Sequence, residues 1–379
     1  MVCKLHKSLY GLKQSPRAWF TKLTQALLNW NFSGSKADTS LFFFSSSRDI
    51  LIVLVYVDDI IIIGSTQGLI TSLIDFLNKH FTVKDLGQLH YFLGIEVHHS
   101  DMGLHLSQTK YITNLLKKTG MFDSKPSDTP MSSTVSLSLC DGVPLEDASD
   151  YRNIVGALQY CTLTRPDLSF AVNKVCQFMH SLTVSHWQTI KRILRYLRGT
   201  LYHGLSISPI SSPSLVCYTD ADWASCPDDH RSTSGYCIFF GGNLVSWVSS
   251  KQKVVSRSST ESEYRAVANG VAEIAWLKYL LPELLVPLDS IPCILCDNMS
   301  TISLSANPVL HARTKHVKID YHFVRECVAT QTVLVQYTRS SDQLADTLTK
   351  SLSTFRFLSL HSKLNVLHRP LSLRGDDKV

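Results

Sequence analysis

The sequence predicts a multidomain protein of mixed α/β and α+β class. Three observations predict it. The chain has 379 residues, more than one core of about 150 residues uses. Apolar residues make up 44% and charged residues 18%, a balance that builds packed cores and excludes a disordered chain. Strand-like runs and helical periodicities also interleave, most clearly in the second half, which is the order of an α/β protein.

Each element has its own reason. Pro16 suits a first helical turn, where its missing N–H has no intrahelical partner. Ala18, Trp19, Leu23, Ala26, Leu27 and Trp30 then repeat at helical spacing. Leu41 to Phe44 and Ile50 to Tyr56 read as strands. Asp58-Asp59 sits at a tight turn before a third run, Ile60 to Ile63. These flanks are continuously apolar, as in strands buried on both faces. Leu69 to His80 fits a helix, and Tyr91 to His98 with Leu104 to Leu106 fits a hairpin.

Ser, Thr, Pro and Asp take over between Asp123 and Asp150, which predicts a linker. Tyr151 to Thr200 is helical, with a break at Arg165-Pro166. No acid occurs from Leu168 to Thr219, so Trp187 to Arg198 forms a basic helix. Strands fit Leu215 to Thr219, Gly235 to Phe240, Leu244 to Val248, Cys293 to Cys296 and Val333 to Tyr337. Helices fit Thr260 to Leu280, Ser300 to Leu304, Lys315 to Ala329 and Asp342 to Lys350. Ser258 and Glu261 stand in capping-box spacing, and Pro282 is expected to stop the long helix. After about Ser362 no period is visible, and a loosely held tail is expected.

Composition narrows the function classes. Lys and Arg number 37 against 31 Asp and Glu, a mild excess of +6 that is compatible with a polyanionic partner. The 10 Cys are scattered without a secretory signal and read as reduced thiols, so no disulfide-linked partner is expected. The most apolar stretch, Ile50 to Ile63, is too short for a membrane span and carries two Asp. An intracellular protein, cytoplasmic or nuclear, is expected, with no membrane partner.

Two groups of acids carry chemistry. Asp58 and Asp59 are turn formers, but adjacent carboxylates held against an apolar sheet repel each other unless a divalent cation neutralises them. In the second half, Asp220 and Asp222 follow a strand, Glu261 and Glu263 open the long helix, Asp297 follows the next strand and Asp346 lies in the final helix. Each alone is explained by helix-dipole or turn chemistry. Together they form a series that a sheet edge converges. Carboxylates without His or Cys partners suit magnesium or manganese, not zinc. Cys293-x-x-Cys296 has half-site spacing, but no second pair follows, so these read as strand thiols. His311, His316 and His322 likewise lack a companion Cys pair. Lys191, Arg192, Arg195 and Arg198 line one basic helix that either follows a nucleic-acid backbone or is a solvated face.

The segment Ser8-Leu9-Tyr10-Gly11-Leu12-Lys13-Gln14-Ser15-Pro16-Arg17-Ala18-Trp19 with Tyr56-Val57-Asp58-Asp59-Ile60 strongly resembles the reverse transcriptase of copia-type LTR retrotransposons. Leu89 to Ile95, Leu106 to Ile112 and Thr164-Arg165-Pro166-Asp167 match the same family. The second half resembles the ribonuclease H domain that follows it, through Arg231 to Tyr236, Ser246-Trp247, Arg313-Thr314-Lys315-His316 and Asp346 to Lys350. The resemblance implies a partial palm and thumb over residues 1–122, a linker at 123–150, and a helical connection at 151–204. A ribonuclease H-like mixed sheet with flanking helices over 205–350 and a tail at 351–379 complete the expected domains.

It implies roles as well. Asp58 and Asp59 would be palm metal ligands. Gly11, Gln14 and Tyr56 would line nucleotide and template, and Leu93 and Gly94 would form the primer grip. Asp220, Glu263, Asp297 and Asp346 would hold two metals for cleavage of the RNA strand of an RNA–DNA hybrid. Glu263 is favoured over Glu261 by the family's spacing, and Asp222 would support Asp220. The family carries a further palm Asp upstream of the Ser8 segment, so the polymerase half is expected to be inactive here. The alternative is a non-catalytic nucleic-acid-binding relic.

Overall fold

The computed structural model describes residues 11–145, 147–307 and 318–369. The chain forms two compact units, Met1–Phe92 with Trp276–Pro287, and Leu93–Ala275 with Leu288–Val379.

In the first unit, α1 (Ser15–Asn29) begins at Ser15 with Pro16 in its first turn, as expected. It ends in a Schellman turn. Asn31 takes φ 70°, Phe32 N–H donates to Leu27 O at 3.0 Å, and Asn31 N–H donates to Leu28 O at 3.0 Å. Strands β1 (Ser33–Gly34), β2 (Leu41–Ser45), β3 (Ile50–Tyr56) and β4 (Asp59–Gly64) form an antiparallel sheet in that order, and α2 (Gln67–His80) follows. Leu23, Leu27, Leu73 and Leu77 of the helices pack on Phe42, Leu51, Val53 and Val55. Burial alternates along β3, and Ile63 on β4 is 59% exposed. The strands are therefore buried on one face, a correction to the two-faced burial expected. Among the described residues β4 stands at the sheet edge. The two-residue strand β5 (Tyr91–Phe92) closes this part of the chain. Within the same unit, Ser35 Oγ and Lys36 N–H both donate to the Glu283 carboxylate.

The second unit opens with β6 (Ile95–Ser100), β7 (Gly103–Ser107) and α3 (Thr109–Lys118), the last not expected from sequence. Helices α4 (Ser149–Cys161), α5 (Ser169–Cys176) and α6 (Val184–Gly199) fill the predicted helical stretch. Strand β8 (His203–Ile207) then pairs antiparallel with β7. The stretch from 123 to 145 contains no helix, yet it is packed rather than loose. Met131 and Leu137 enter the core of α3 to α6, and Ser127 N–H donates to Arg195 O.

The break between α4 and α5 is held by a buried ion pair. Arg165 donates twice to Asp167, at 3.0 and 2.8 Å, and both side chains are fully buried. Tyr196 OH donates to Asp167 at 2.6 Å, and Arg165 also donates to Thr200 O. The Arg165-Pro166-Asp167 motif is thereby a structural staple between helices.

The remaining elements are β9 (Leu215–Asp222), β10 (Thr233–Phe240), β11 (Asn243–Lys251), α7 (Ser259–Glu283), β12 (Cys293–Cys296), α8 (Met299–Ala306), α9 (Lys318–Ala329), β13 (Leu334–Tyr337), α10 (Asp346–Thr349), α11 (Thr354–His361) and β14 (Val366–His368). Their sheet runs β11-β10-β9-β12-β13, antiparallel among the first three strands and parallel from β9 to β13. This is the mixed sheet that the sequence implies.

Three expectations need correction. Pro282 lies inside the last turn of α7, where it forfeits one backbone bond only, and the turn ends at Leu285 with φ 60°. The helix expected over Asp342 to Lys350 as the last one is a single short turn, α10, and α11 follows it. The described part of the expected tail, up to residue 369, is packed rather than loosely held. Phe357, Leu360, Leu364 and Val366 are buried, and β14 pairs with β8. Only one or two large apolar residues per turn anchor this stretch, so no period shows in the sequence.

Candidate active site

The sheet places the acids before any side chain is considered. Asp220 lies on central strand β9, opposite Gly235 of β10. Strand β12 runs parallel to β9 with Leu295 beside Tyr218, so the next residues of both strands bring Asp297 level with Asp220. Asn298 caps α8 by accepting Thr301 N–H at 3.1 Å, which fixes the turn just after Asp297. Gly235 matters sterically. A Cβ there would stand 2.7 Å from Leu348 Cβ and 3.0 Å from Thr349 Cγ2. Its bare backbone lets α10 lie against β10, which sets Asp346 and Thr349 beside Asp220.

The side chains form one charged cluster. Thr349 Oγ1 donates to Asp220 Oδ2. Lys350 Nζ bridges Asp220 at 3.2 Å and Asp346 at 2.9 Å. Arg356 of α11 adds a contact to Asp346 at 3.3 Å, and Ser340 Oγ donates to Asp297 at 2.7 Å. Glu263, Cys296 and Asp297 offer ligand atoms within 4.8 Å of one another. Burial pushes Asp220 up to about 6, with Asp346 and Asp297 adding repulsion against the opposing pull of Lys350. Burial pushes Glu263 up to about 9, aided by the charges of Asp220 and Asp297. Asp222 is half-buried, and burial raises it against the pull of Lys350 and Lys174.

Glu261 is not part of the cluster. It accepts Arg257 N–H at 3.0 Å and pairs with Arg265 at 3.0 Å. Ser258 caps Glu261 N–H as the spacing predicts, but the return bond goes to residue 257.

A divalent cation fits these donors. Glu263 is 7% exposed, and its Oε2 is buried without a hydrogen-bond partner. Carboxylates crowded in this way need positive charge, and the ion pairs of Lys350 and Arg356 are made to Asp220 and Asp346. Asp220, Glu263, Asp297 and Asp346 would hold a hard cation such as magnesium.

Sequence reasoning missed several participants. Cys296 belongs to the cluster, so the carboxylates are not without a Cys partner as expected. The strand pattern pointed its side chain inward, but only the register shows that inward means toward Glu263. Thr349, Lys350 and Arg356 were equally hidden, because their roles depend on how α10 and α11 fold back.

Tyr56 pairs with Asp59 across the β3–β4 turn, and Tyr56, Asp58 and Asp59 are exposed. Val57 in that turn takes φ 50°, a strained conformation for a β-branched residue. Among the described residues, Asp58 and Asp59 have no third ligand grouped with them. Gly11 takes φ 88°, and Gln14 precedes α1 and accepts Ala18 N–H at 3.1 Å. Leu93 and Gly94 form a turn with φ 46° and 73°. A Cβ on Gly94 would lie 2.5 Å from Tyr160 OH.

On α6, Lys191 is exposed, but Arg192 donates to Thr129 at 2.7 Å and Arg198 donates to Phe122 O. Arg192, Arg195 and Arg198 are half-buried, so this face holds residues 122–129 rather than standing fully open. Cys293 donates to Gln336 Oε1 at 3.3 Å. His311, Arg313, Thr314, Lys315 and His316 lie outside the described residues. No described helix is long and apolar enough to cross a membrane.

Comparison with known proteins agrees with these motifs. A family described as reverse transcriptase (RNA-dependent DNA polymerase) matches residues 1–133. The Pol polyprotein from transposon RE1 of Arabidopsis thaliana is 50% identical over 371 residues, 98% of this chain and 25% of the relative. That from transposon RE2 of the same plant is 48% identical over 99% of this chain and 26% of its own length. A transposon Ty5-1 protein of Saccharomyces cerevisiae is 32% identical over 72% of this chain and 90% of its own length. The chain thus spans about a quarter of the two plant polyproteins. A mycobacterial RNase H domain aligns with 40% of the chain at 11% identity and a TM-score of 0.28, too slight a likeness to bear weight. The chain belongs to the family of copia-type retrotransposon Pol polyproteins.

Proposed function

We propose that the second unit hydrolyses the RNA strand of RNA–DNA hybrids. The observation that carries this reading is the convergence of Asp220, Glu263, Asp297 and Asp346 on one edge of a mixed sheet. Asp220 is oriented by Thr349, Asp297 by Ser340, and Asp346 by Lys350 and Arg356. Glu263 keeps a buried oxygen available for a ligand. Bound magnesium, or manganese, would supply water activation and stabilise the leaving oxygen. Lys350 and Arg356 place positive charge where a phosphodiester would approach. The 2′-OH is the feature by which such a site tells RNA from DNA.

The first unit is read as a reverse-transcriptase region that positions nucleic acid without adding nucleotides. The exposed Asp58 and Asp59, with no grouped third ligand among the described residues, support this reading. The test is incubation of the whole chain with an RNA–DNA hybrid labelled on each strand, with magnesium or with a chelator. Cleavage confined to the RNA strand and dependent on magnesium is expected. Hybrid binding without cleavage would instead indicate a non-catalytic relic.

A further inference from the structure

We propose that Glu263, Cys296 and Asp297 form a site for a thiophilic divalent cation, zinc or its analogue cadmium, inside the carboxylate cluster. Binding there excludes the hard cation, because both need Glu263 and Asp297. The inhibitory consequence rests on the proposed function; the binding itself does not.

The geometry is specific. The Cys296 sulfur and one carboxylate oxygen from each acid lie within 4.8 Å of one another. Tetrahedral zinc with its usual bond lengths holds such atoms about 3.3 to 3.8 Å apart, so a small inward movement closes the site. Cys296 is fully buried at the end of β12, and Asn298 N–H donates to its sulfur at 3.4 Å. That bond holds the sulfur at the end of β12, and burial keeps the thiol protonated until a metal displaces the proton. Independently, Glu263 is 7% exposed and presents a buried oxygen with no hydrogen-bond partner.

Three protein ligands leave a fourth position for water, the arrangement of an open zinc site. As the metal binds, the thiol proton and the proton that the buried Glu263 carboxyl carries at neutral pH both pass to solvent. Magnesium gains nothing from sulfur, whereas zinc and cadmium do. One side chain therefore decides which metal wins.

The test is equilibrium dialysis of the whole chain against zinc in excess magnesium, with cadmium–thiolate absorption as a second readout. The parent should retain zinc against magnesium. Cys296→Ser should weaken zinc binding at least tenfold and lose the corresponding cadmium absorption. Asp297→Asn and Glu263→Gln should each weaken zinc binding as well, which keeps the proposal testable should Cys296→Ser not fold. Unchanged zinc affinity in Cys296→Ser, or in both acid variants, overturns it. Hybrid cleavage is read on the same samples. A parent that never cleaves in magnesium, yet loses zinc through Cys296→Ser, overturns the proposed function and leaves this site standing.

Discussion

Glu263→Gln should stabilise the metal-free protein at alkaline pH while removing its activity. Burial and the charges of Asp220 and Asp297 hold the Glu263 carboxyl at about 9, against an ordinary value of 4.5. Its folded value is raised, so its stabilisation is complete below the unfolded value and is lost as pH rises toward 9. Across that window the folded state binds up to one proton more than the unfolded state, so stability falls by at most about 1.4 kcal/mol per pH unit. Between pH 6 and pH 8 the metal-free parent should therefore lose up to about 3 kcal/mol from this group. Asp220, held at about 6, adds its share below that range. Glutamine carries no proton to lose, so the variant should be flatter with pH. Magnesium should flatten the parent in the same way, by binding the charged form. The assay is urea denaturation at pH 6, 7 and 8, in chelator and in magnesium. Parallel pH dependence for parent and variant in chelator would refute the reasoning.

Other perturbations have equally definite outcomes. Arg165→Met strands the buried Asp167 charge and should cost about 3 to 5 kcal/mol in urea denaturation, whereas Arg165→Met with Asp167→Leu should recover much of it. Gly235→Ala places a Cβ against Leu348 and Thr349 and should cost about 1 to 3 kcal/mol of stability. The same variant should weaken stabilisation by magnesium, and unchanged melting in both conditions would show that α10 does not need the glycine. Burial, with His98 next, lowers His105 to about 4, so its protonation costs stability as pH falls from 6.5. His105→Gln should therefore gain on the parent by up to about 1.4 kcal/mol per pH unit from pH 6.5 to pH 4, read from urea midpoints.

Local order was readable wherever local chemistry set it. Pro16 marked α1, the apolar run Ile50 to Tyr56 marked β3, and Cys293 to Cys296 marked β12. The acids of the site were readable because each sits at or near an element end. What hid was tertiary. The short, polar α3 lacked a conspicuous start signal, as its N-cap Gln108 makes no capping bond. Strand β8 depends on pairing with β7 and β14, not on its own composition. The Arg192 and Arg198 contacts to residues 122–129 could not be seen in a run that looked merely basic. Cys296 looked like an ordinary strand thiol until register set it beside Glu263.

The most direct test of the central claim compares Asp297→Asn with Glu261→Gln in hybrid cleavage by the whole chain in magnesium. Asp297 faces the cluster, and Ser340 orients it. Glu261 faces Arg265 and the start of α7, so its loss should cost helix-start electrostatics of about 0.3 to 1 kcal/mol. Asp297→Asn keeps the shape and removes one charge, so the protein should still fold while RNA-strand cleavage falls by orders of magnitude. Glu261→Gln should cleave within a few-fold of the parent. An Asp297→Asn protein that cleaves like the parent would contradict the account.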